Sequence, residues 1–219
     1  METEAKLAFT DRIDLYDLSS SDFFRKLCTG ISDPEPVLLE NSYLDTKDMD
    51  ITKRGGMIRV RHYRSSGKDS FEFTVKYGGG VSGAIHKRYE WNMKSNDGKF
   101  SVETFLNNVS DNDDSRNLLS EAFGTVTDND LTVICSNSFN RTIYEISYGN
   151  SLIEACFDSG IISSPDGSKT DEICELELEL IKGDLKDLTA LTGLITDKAG
   201  CVPFADTKYR RTLALATGR

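Results

Sequence analysis

The feature that most constrains this chain is a set of short segments in which every second residue is charged and the residues between them are apolar. In 2–9, Glu2, Glu4 and Lys6 share one face, and Thr3, Ala5, Leu7 and Phe9 share the other. In 57–63, Arg59 and Arg61 oppose Ile58 and Val60; in 71–76, Glu72, Thr74 and Lys76 oppose Phe71, Phe73 and Val75. The stretch 86–92 sets His86, Arg88, Glu90 and Asn92 against Lys87, Tyr89 and Trp91. Segments 139–148 and 152–158 carry Arg141, Glu145, Glu154 and Asp158, and 173–180 sets Glu175, Glu177 and Glu179 against Cys174, Leu176, Leu178 and Leu180. A period of two puts alternate side chains on opposite faces of a β-strand, so each segment reads as a strand with one charged and one apolar face. Tyr148-Gly149-Asn150 reads as a hairpin turn, and seven or eight strands joined largely by hairpins predict an antiparallel sheet or barrel.

Helical signals are fewer. Ser20 or Ser21 is placed to cap a helix through Leu27 and Cys28 that ends at Gly30, and Ser115 to cap one through Leu118, Leu119, Ala122 and Phe123 that stops at Gly124. The clearest helix is 184–199, with Asp184 as N-cap, an apolar stripe of Leu185, Leu188, Leu191 and Ile195, and Gly200 after its end. These helices are expected to cover the apolar outer face of the sheet, which leaves the charged faces to look inward at one another.

A single charged strand face is ordinarily solvated surface. Here some faces are acidic, whereas Arg59, Arg61, Lys76, Arg88, Arg141 and Lys208 supply positive charge expected on strands. If the sheet closes, both signs meet in one interior, which is costly to desolvate unless the charges pair or bind ions. A polyanion gripped by Arg and Lys, with divalent cations between it and the carboxylates, satisfies both. All-oxygen ligands favour Mg²⁺ or Mn²⁺ over zinc.

Other chemistries fit less well. The run Gly78-Gly79-Gly80-Val81-Ser82-Gly83 lacks the Gly-Lys-Ser/Thr ending of a P-loop and reads as a hairpin loop with a mobile tip. Asp111-Asn112-Asp113-Asp114 has Arg116 and Ala122 where a calcium loop needs Gly and Glu, so it reads as an acidic surface turn. His62 and His86 suggest no metal pair, and no nucleophilic triad is readable. A formal net charge of -10 argues against a general role on nucleic acid or anionic membrane. No apolar run approaches a membrane span, and Met1 is followed at once by Glu2 and Glu4, so neither a leader nor a membrane segment is expected. The five cysteines, Cys28, Cys135, Cys156, Cys174 and Cys201, lack any CxxC pair and read as free thiols of a cytoplasmic protein; the sequons at Asn108 and Asn140 are then chance. At 219 residues, with no linker-like stretch, one domain over 1–219 is expected.

Glu2-x-Glu4-x-Lys6 resembles the ExExK signature of the CYTH, or triphosphate tunnel metalloenzyme, superfamily. Arg59-x-Arg61, Lys76 in Phe73-Thr74-Val75-Lys76, Arg88-x-Glu90, Arg141, Asp158, Glu177-x-Glu179 and Thr207-Lys208 follow in that family's order across essentially the whole chain. The run Ile173 to Leu180, followed by Gly183-Asp184 and a helix, is similar to the bacterial inorganic triphosphatases. The resemblance implies an α+β fold: a closed eight-stranded antiparallel β-barrel, open as a tunnel, with helices packed outside; bacterial inorganic triphosphatases often carry a further helical CHAD domain, which is not expected in this chain. It implies Glu2, Glu4, Glu177 and Glu179 as metal ligands, with Asp158 as a further ligand assisting a metal-bound water. Arg59, Arg61, Lys76, Arg88, Arg141 and Lys208 would grip phosphate oxygens, and Lys6 would neutralise substrate or separate the carboxylates. Glu90 and Glu175 face the same interior without an assigned role, and Arg211 is a weaker phosphate candidate. The implied reaction is Mg²⁺- or Mn²⁺-dependent hydrolysis of tripolyphosphate to pyrophosphate and orthophosphate. An organic triphosphate (thiamine triphosphate, a nucleoside triphosphate, or ATP cyclised to cyclic AMP) and non-catalytic polyphosphate binding remain the alternatives.

Overall fold

The computed structural model describes residues 1–30, 34–64, 69–109 and 113–218. Its strands are β1 (Glu2–Ala8), β2 (Val37–Asp45), β3 (Gly56–Arg64), β4 (Ser70–Ser82), β5 (Ile85–Ser95), β6 (Thr132–Tyr148), β7 (Ser151–Ser163), β8 (Thr170–Lys182) and the short β9 (Val202–Pro203). In space the order is β5-β4-β3-β2-β6-β7-β8-β1, and β1 pairs back onto β5 through Glu2↔Arg88 and Glu4↔His86. Every pairing is antiparallel, so eight strands close into the expected barrel, with β9 outside it against the end of β1.

Seven of the eight barrel strands coincide with alternating segments of the sequence. The eighth, β2, escapes that reading because its polar residues, Glu40, Asn41 and Ser42, fall on both faces. The Gly78–Gly80 run is no loop. It lies inside β4, where the register to β5 shifts between Tyr77 and Gly80, and the hairpin tip falls at Gly83 and Ala84. Gly79, at φ +97, passes so close to β5 that an added Cβ would meet the Lys87 carbonyl oxygen at 2.0 Å, which only glycine avoids.

The helices are α1 (Arg12–Ser20), α2 (Asp22–Arg25), α3 (Asp50–Lys53), α4 (Val102–Val109), α5 (Asp113–Phe123), α6 (Leu185–Ala199) and α7 (Lys208–Thr217). Helix α6 matches its expected bounds, with Asp184 at the N-cap and Gly200 at φ 66. The helix expected through Cys28 shrinks to α2. Ser21 caps it, but the following segment is captured by the barrel, with Cys28 bridging Ile146 and Thr29 N–H donating to the Glu145 carbonyl at 2.9 Å. The longer helix lies before it, where the Asp11 carboxylate accepts from the Ile13 and Asp14 amides. Helix α5 begins ahead of Ser115, whose hydroxyl accepts from the Trp91 indole at 2.7 Å. Asp111, Asn112 and Ser110, parts of the acidic turn and of the first sequon, lie outside the described residues.

Outward faces of the strands carry the apolar residues, and helices cover them. On one side Leu7, Ile146, Ile153, Leu176 and Leu178 pack with Leu15 and Phe24 of α1 and α2 and with Leu188, Leu191 and Ile195 of α6. On the other, Ile58, Phe73, Val75 and Trp91 pack with Ile51, Phe105, Leu119 and Phe123 of α3, α4 and α5. Each fully buried side chain of this size contributes roughly 1.5–3 kcal/mol. Helix α7 behaves differently. Its Tyr209 ring packs on Tyr43 and its Leu213 and Leu215 on clusters with Met57, Cys135, Leu39 and Phe139, which share the strand face of Arg141. It therefore lies against the inward face and fills part of the barrel lumen. Among the described residues no helix is long and apolar enough to cross a membrane.

Candidate active site

The inward residues left uncovered by α7 enclose a cavity of about 240 Å³. Seven glutamates (Glu2, Glu4, Glu72, Glu90, Glu154, Glu177, Glu179) and seven cations (Lys6, Arg59, Arg61, Lys76, Arg88, Arg141, Lys208) line it. Strand register separates the two signs. Glu4 stands opposite Glu179 on β8, and Glu179 opposite Glu154 on β7, so three adjacent strands present a row of carboxylates. Arg59 and Arg61 on β3, Arg141 on β6 and Lys208 at the start of α7 supply a basic wall. Lys208 is therefore helix-borne, contrary to the strand placement its sequence pattern suggested: after Thr207, whose hydroxyl accepts from the Arg210 amide, the chain turns into α7 and directs its positive end at the cavity.

Between these walls the charges interlock. Lys6 Nζ lies 2.5 Å from Glu177 and 3.0 Å from Glu4. Arg141 makes a two-pronged contact to Asp158 at 2.6 and 2.5 Å and also reaches Glu177 at 2.5 Å. Lys208 Nζ lies 2.7 to 2.9 Å from Glu175, Asp158 and Glu177. Burial by itself would raise the Glu177 carboxyl, but Lys208, Lys6 and Arg141 hold it well below its ordinary range. Burial would likewise lower the Lys6 ammonium, and Glu177 and Glu4 hold it above its usual value.

Arg61 is the exception. It is buried, its Nε donates to the Asn41 side chain at 2.8 Å, and among the described residues it has no carboxylate partner. Burial and the neighbouring Arg59 and Arg141 pull its guanidinium below the ordinary value. Among the described residues Arg59 Nε is also buried without a hydrogen-bond partner, although its Nη2 donates to Thr74 at 2.8 Å and lies 3.6 Å from Glu72. Positive charge left uncompensated in a buried wall, with an unused donor beside it, fits an anion with several oxygens.

The carboxylate row shows the complementary deficit. Among the described residues Glu154 and Glu179 have no lysine or arginine within ion-pair distance, and Glu179 is pushed up to about 7 by burial and by Glu90 and Glu4. Burial pushes Glu2 up to about 8, against the pull of Lys76 and helped by the neighbouring Glu90 and Glu4 carboxylates. Among the described residues no three acidic, His or Cys side chains already converge on one point. Like charges do not close up without a cation between them. A row of carboxylates in which burial and neighbouring carboxylates raise Glu179 matches a hard divalent cation, the donor set preferred by Mg²⁺ or Mn²⁺.

The CYTH domain pattern matches residues 1–211, the strands and the α7 segment that form this cavity. The chain belongs to the CYTH family. An inorganic triphosphatase from Haemophilus influenzae is 27% identical over 187 residues, covering 85% of this chain and 47% of that protein. The chain thus spans about half the length of that relative. Similar solved folds include a Hippeastrum protein assigned as an adenylyl cyclase and found to have a dominant triphosphatase activity. It has a TM-score of 0.65 and 14% identity, with 100% of this chain and 97% of that one covered. An assigned adenylate cyclase from Bacillus halodurans has a TM-score of 0.56 and 18% identity, covering 96% of each chain.

Of the CYTH positions named from the sequence, Glu2, Glu4, Lys6, Arg59, Arg61, Lys76, Arg88, Arg141, Glu177, Glu179 and Lys208 all line the cavity. Asp158 does not. It is fully buried behind the wall, and its two oxygens are taken by Arg141 and Lys208. Glu175 is equally enclosed, between Lys208 and Arg211, and Arg211 is spent on Asp171 and Glu175. Glu154 and Glu72 line the cavity although the sequence singled out neither for the site. The signal for Glu154 was its parity with Asp158 on one strand face.

Proposed function

We propose that this chain is a divalent-metal-dependent hydrolase of inorganic tripolyphosphate, releasing orthophosphate and leaving pyrophosphate. The observation that carries the reading is Arg61, buried beside Arg59 and Arg141, without a carboxylate partner among the described residues, and facing a cavity that also holds a row of glutamates. The inorganic triphosphatase among its relatives supports the choice of substrate.

In this reading Arg59, Arg61 and Arg141 bind phosphate oxygens, with Lys76, Arg88 and Lys208 completing the grip. Glu2, Glu4, Glu154 and Glu179 hold the metal, joined by Glu177 where Lys6 and Arg141 release it. Mg²⁺ or Mn²⁺ bound there supplies Lewis acidity toward phosphate oxygens and neutralises the approach of anion to carboxylate. Water adds to the terminal phosphorus in line with the bridging oxygen, the P–O bridge breaks, and its electrons leave with pyrophosphate. The proton lost by the water passes to the carboxylate row, where Glu154 and Glu179 have no cation partner. Lys208, fixed by three carboxylates, offsets charge gathering on the departing oxygen. Asp158 and Glu175 act through the cations they hold, as positioning residues.

The test is orthophosphate release from tripolyphosphate with and without Mg²⁺ or Mn²⁺, beside ATP and thiamine triphosphate at equal concentration. Metal-dependent preference for tripolyphosphate is expected. Faster release from either organic substrate, or formation of cyclic AMP, overturns it.

A further inference from the structure

A second and larger chamber adjoins the barrel cavity. It measures about 830 Å³, and Arg88, Thr207 and Tyr209 line both spaces. Lys47, Lys53 and Arg210 line only the outer one, and among the described residues none of the three side chains has a carboxylate within ion-pair distance. Among the described residues Asp48 is the single acidic side chain on its wall. In a chain with 26 lysines and arginines against 36 acidic residues, four cations facing one carboxylate is the reverse of the general surface balance. Such a patch concentrates anions beside the barrel cavity.

The remaining wall restricts which anion. Gly55, Gly56, Gly78 and Gly79 contribute bare backbone, with Gly79 pressed against Arg88 so that no side chain intervenes. Tyr209 is the one aromatic residue on the wall among the described residues, and its ring is packed on Tyr43 at 4.9 Å while its hydroxyl meets that of Thr52 at 2.5 Å. Among the described residues no Asn, Gln or His lines the chamber to read a base edge, and Met49, Leu213 and Ala214 complete its wall. Four cations around bare backbone, with no amide or imidazole side chain among the described residues to read a base edge, suit a ligand that is phosphate throughout.

We propose that the outer chamber is a second anion subsite, which holds the phosphates of a linear inorganic polyphosphate beyond those seated in the barrel cavity. The proposal rests on the triphosphate reading of that cavity and extends it to chain length. Arg88, shared by both spaces, then bridges the inner and outer parts of one chain. The contacts are solvated, so the gain is electrostatic and weakens with added salt.

The experiment is calorimetric titration of the protein, with divalent metal present, using tripolyphosphate, a long-chain polyphosphate and ATP, on the natural chain and on the triple variant Lys47→Ala, Lys53→Ala, Arg210→Ala. The natural chain is expected to bind the long chain about tenfold more tightly than tripolyphosphate at low salt, and the triple variant to lose that advantage while binding tripolyphosphate unchanged. Equal affinity for both chain lengths in the natural protein, or an advantage that survives in the variant, overturns the proposal. So does an ATP affinity that falls in the variant as far as that for long-chain polyphosphate, because the chamber would then serve an organic substituent. Phosphate release measured alongside separates the two readings: if no chain is hydrolysed, the hydrolase assignment falls while the difference in binding still decides the subsite.

Discussion

The side-chain amide of Asn137 donates to the hydroxyl of Thr212 at 2.7 Å, tying barrel strand β6 to helix α7 through two buried groups. The connection continues both ways. Asn137 accepts from Asn41 at 2.9 Å, Asn41 accepts from Arg61 at 2.8 Å, and Thr212 donates to the carbonyl of Lys208 at 2.6 Å. Two cations of the basic wall, one on a strand and one on a helix, are thus held in mutual position by a chain of neutral hydrogen bonds. Neutral partners orient Arg61 without cancelling its charge, which a carboxylate would do.

Cutting that chain has a cost in stability. Thr212→Val keeps the shape but takes the nearer acceptor from the Asn137 amide, leaving it only the longer contact to the Tyr43 hydroxyl at 3.4 Å, and the fold should lose roughly 1–3 kcal/mol. Chemical denaturation measures this, and an unchanged midpoint would show that the bond contributes nothing.

Asp158→Asn tests whether this residue is a metal ligand or a support. Removing its charge frees Arg141 and Lys208 from their shared carboxylate, and turnover should fall by about 10²–10³-fold, the scale of a lost electrostatic contribution to a transition state. Metal affinity should not change, because Asp158 does not line the cavity. A parallel loss of metal binding would return Asp158 to the ligand set.

Glu154→Gln is the converse. It removes a cavity carboxylate that has no ion pair to break, so folding should be unaffected. The metal concentration for half-maximal activity should rise by roughly 10–100-fold, on the scale seen when a metal site loses one of its supporting groups. A variant with unaltered metal dependence would confine the site to β1 and β8.

The metal-free protein should lose stability as the medium becomes alkaline. Glu179 moves from an ordinary 4.5 up to about 7 on folding, through burial and then the Glu90 and Glu4 carboxylates. Between those values the native state holds a proton that the unfolded chain has released, so the stabilising proton is lost as pH rises through the window. Thermal midpoints without metal should therefore fall between about pH 5 and pH 8, and Glu179→Gln should flatten the slope. Identical pH profiles for the two proteins would be incompatible with a proton on Glu179.

Much of this was legible in the linear chain because a β-strand converts sequence parity directly into a choice of face. Glu72, Thr74 and Lys76 could be placed opposite Phe73 and Val75 before any tertiary contact was known, and the inward set follows. Strand β2 was not legible, since Asn41 and Glu40 look alike to a polar/apolar pattern although one serves the interior relay and the other pairs with Arg64 outside. Nor was α7: Lys208-Tyr209-Arg210-Arg211 carries no apolar stripe on the scale of α6, and its helix is secured by Tyr43, Asn137 and Phe139, residues far away in sequence.

The sequence by itself determined that charged strand faces would meet in an enclosed space, because period-two alternation leaves the apolar faces to be covered by helices. Only the tertiary structure decided which charges neutralise one another and which are left for ligands. Asp158 and Glu154 share a face and lie four residues apart, yet one is consumed by Arg141 and Lys208 while the other faces the cavity free. That distinction depends on barrel closure and on where α7 enters the lumen, and it arises between residues that no local pattern relates.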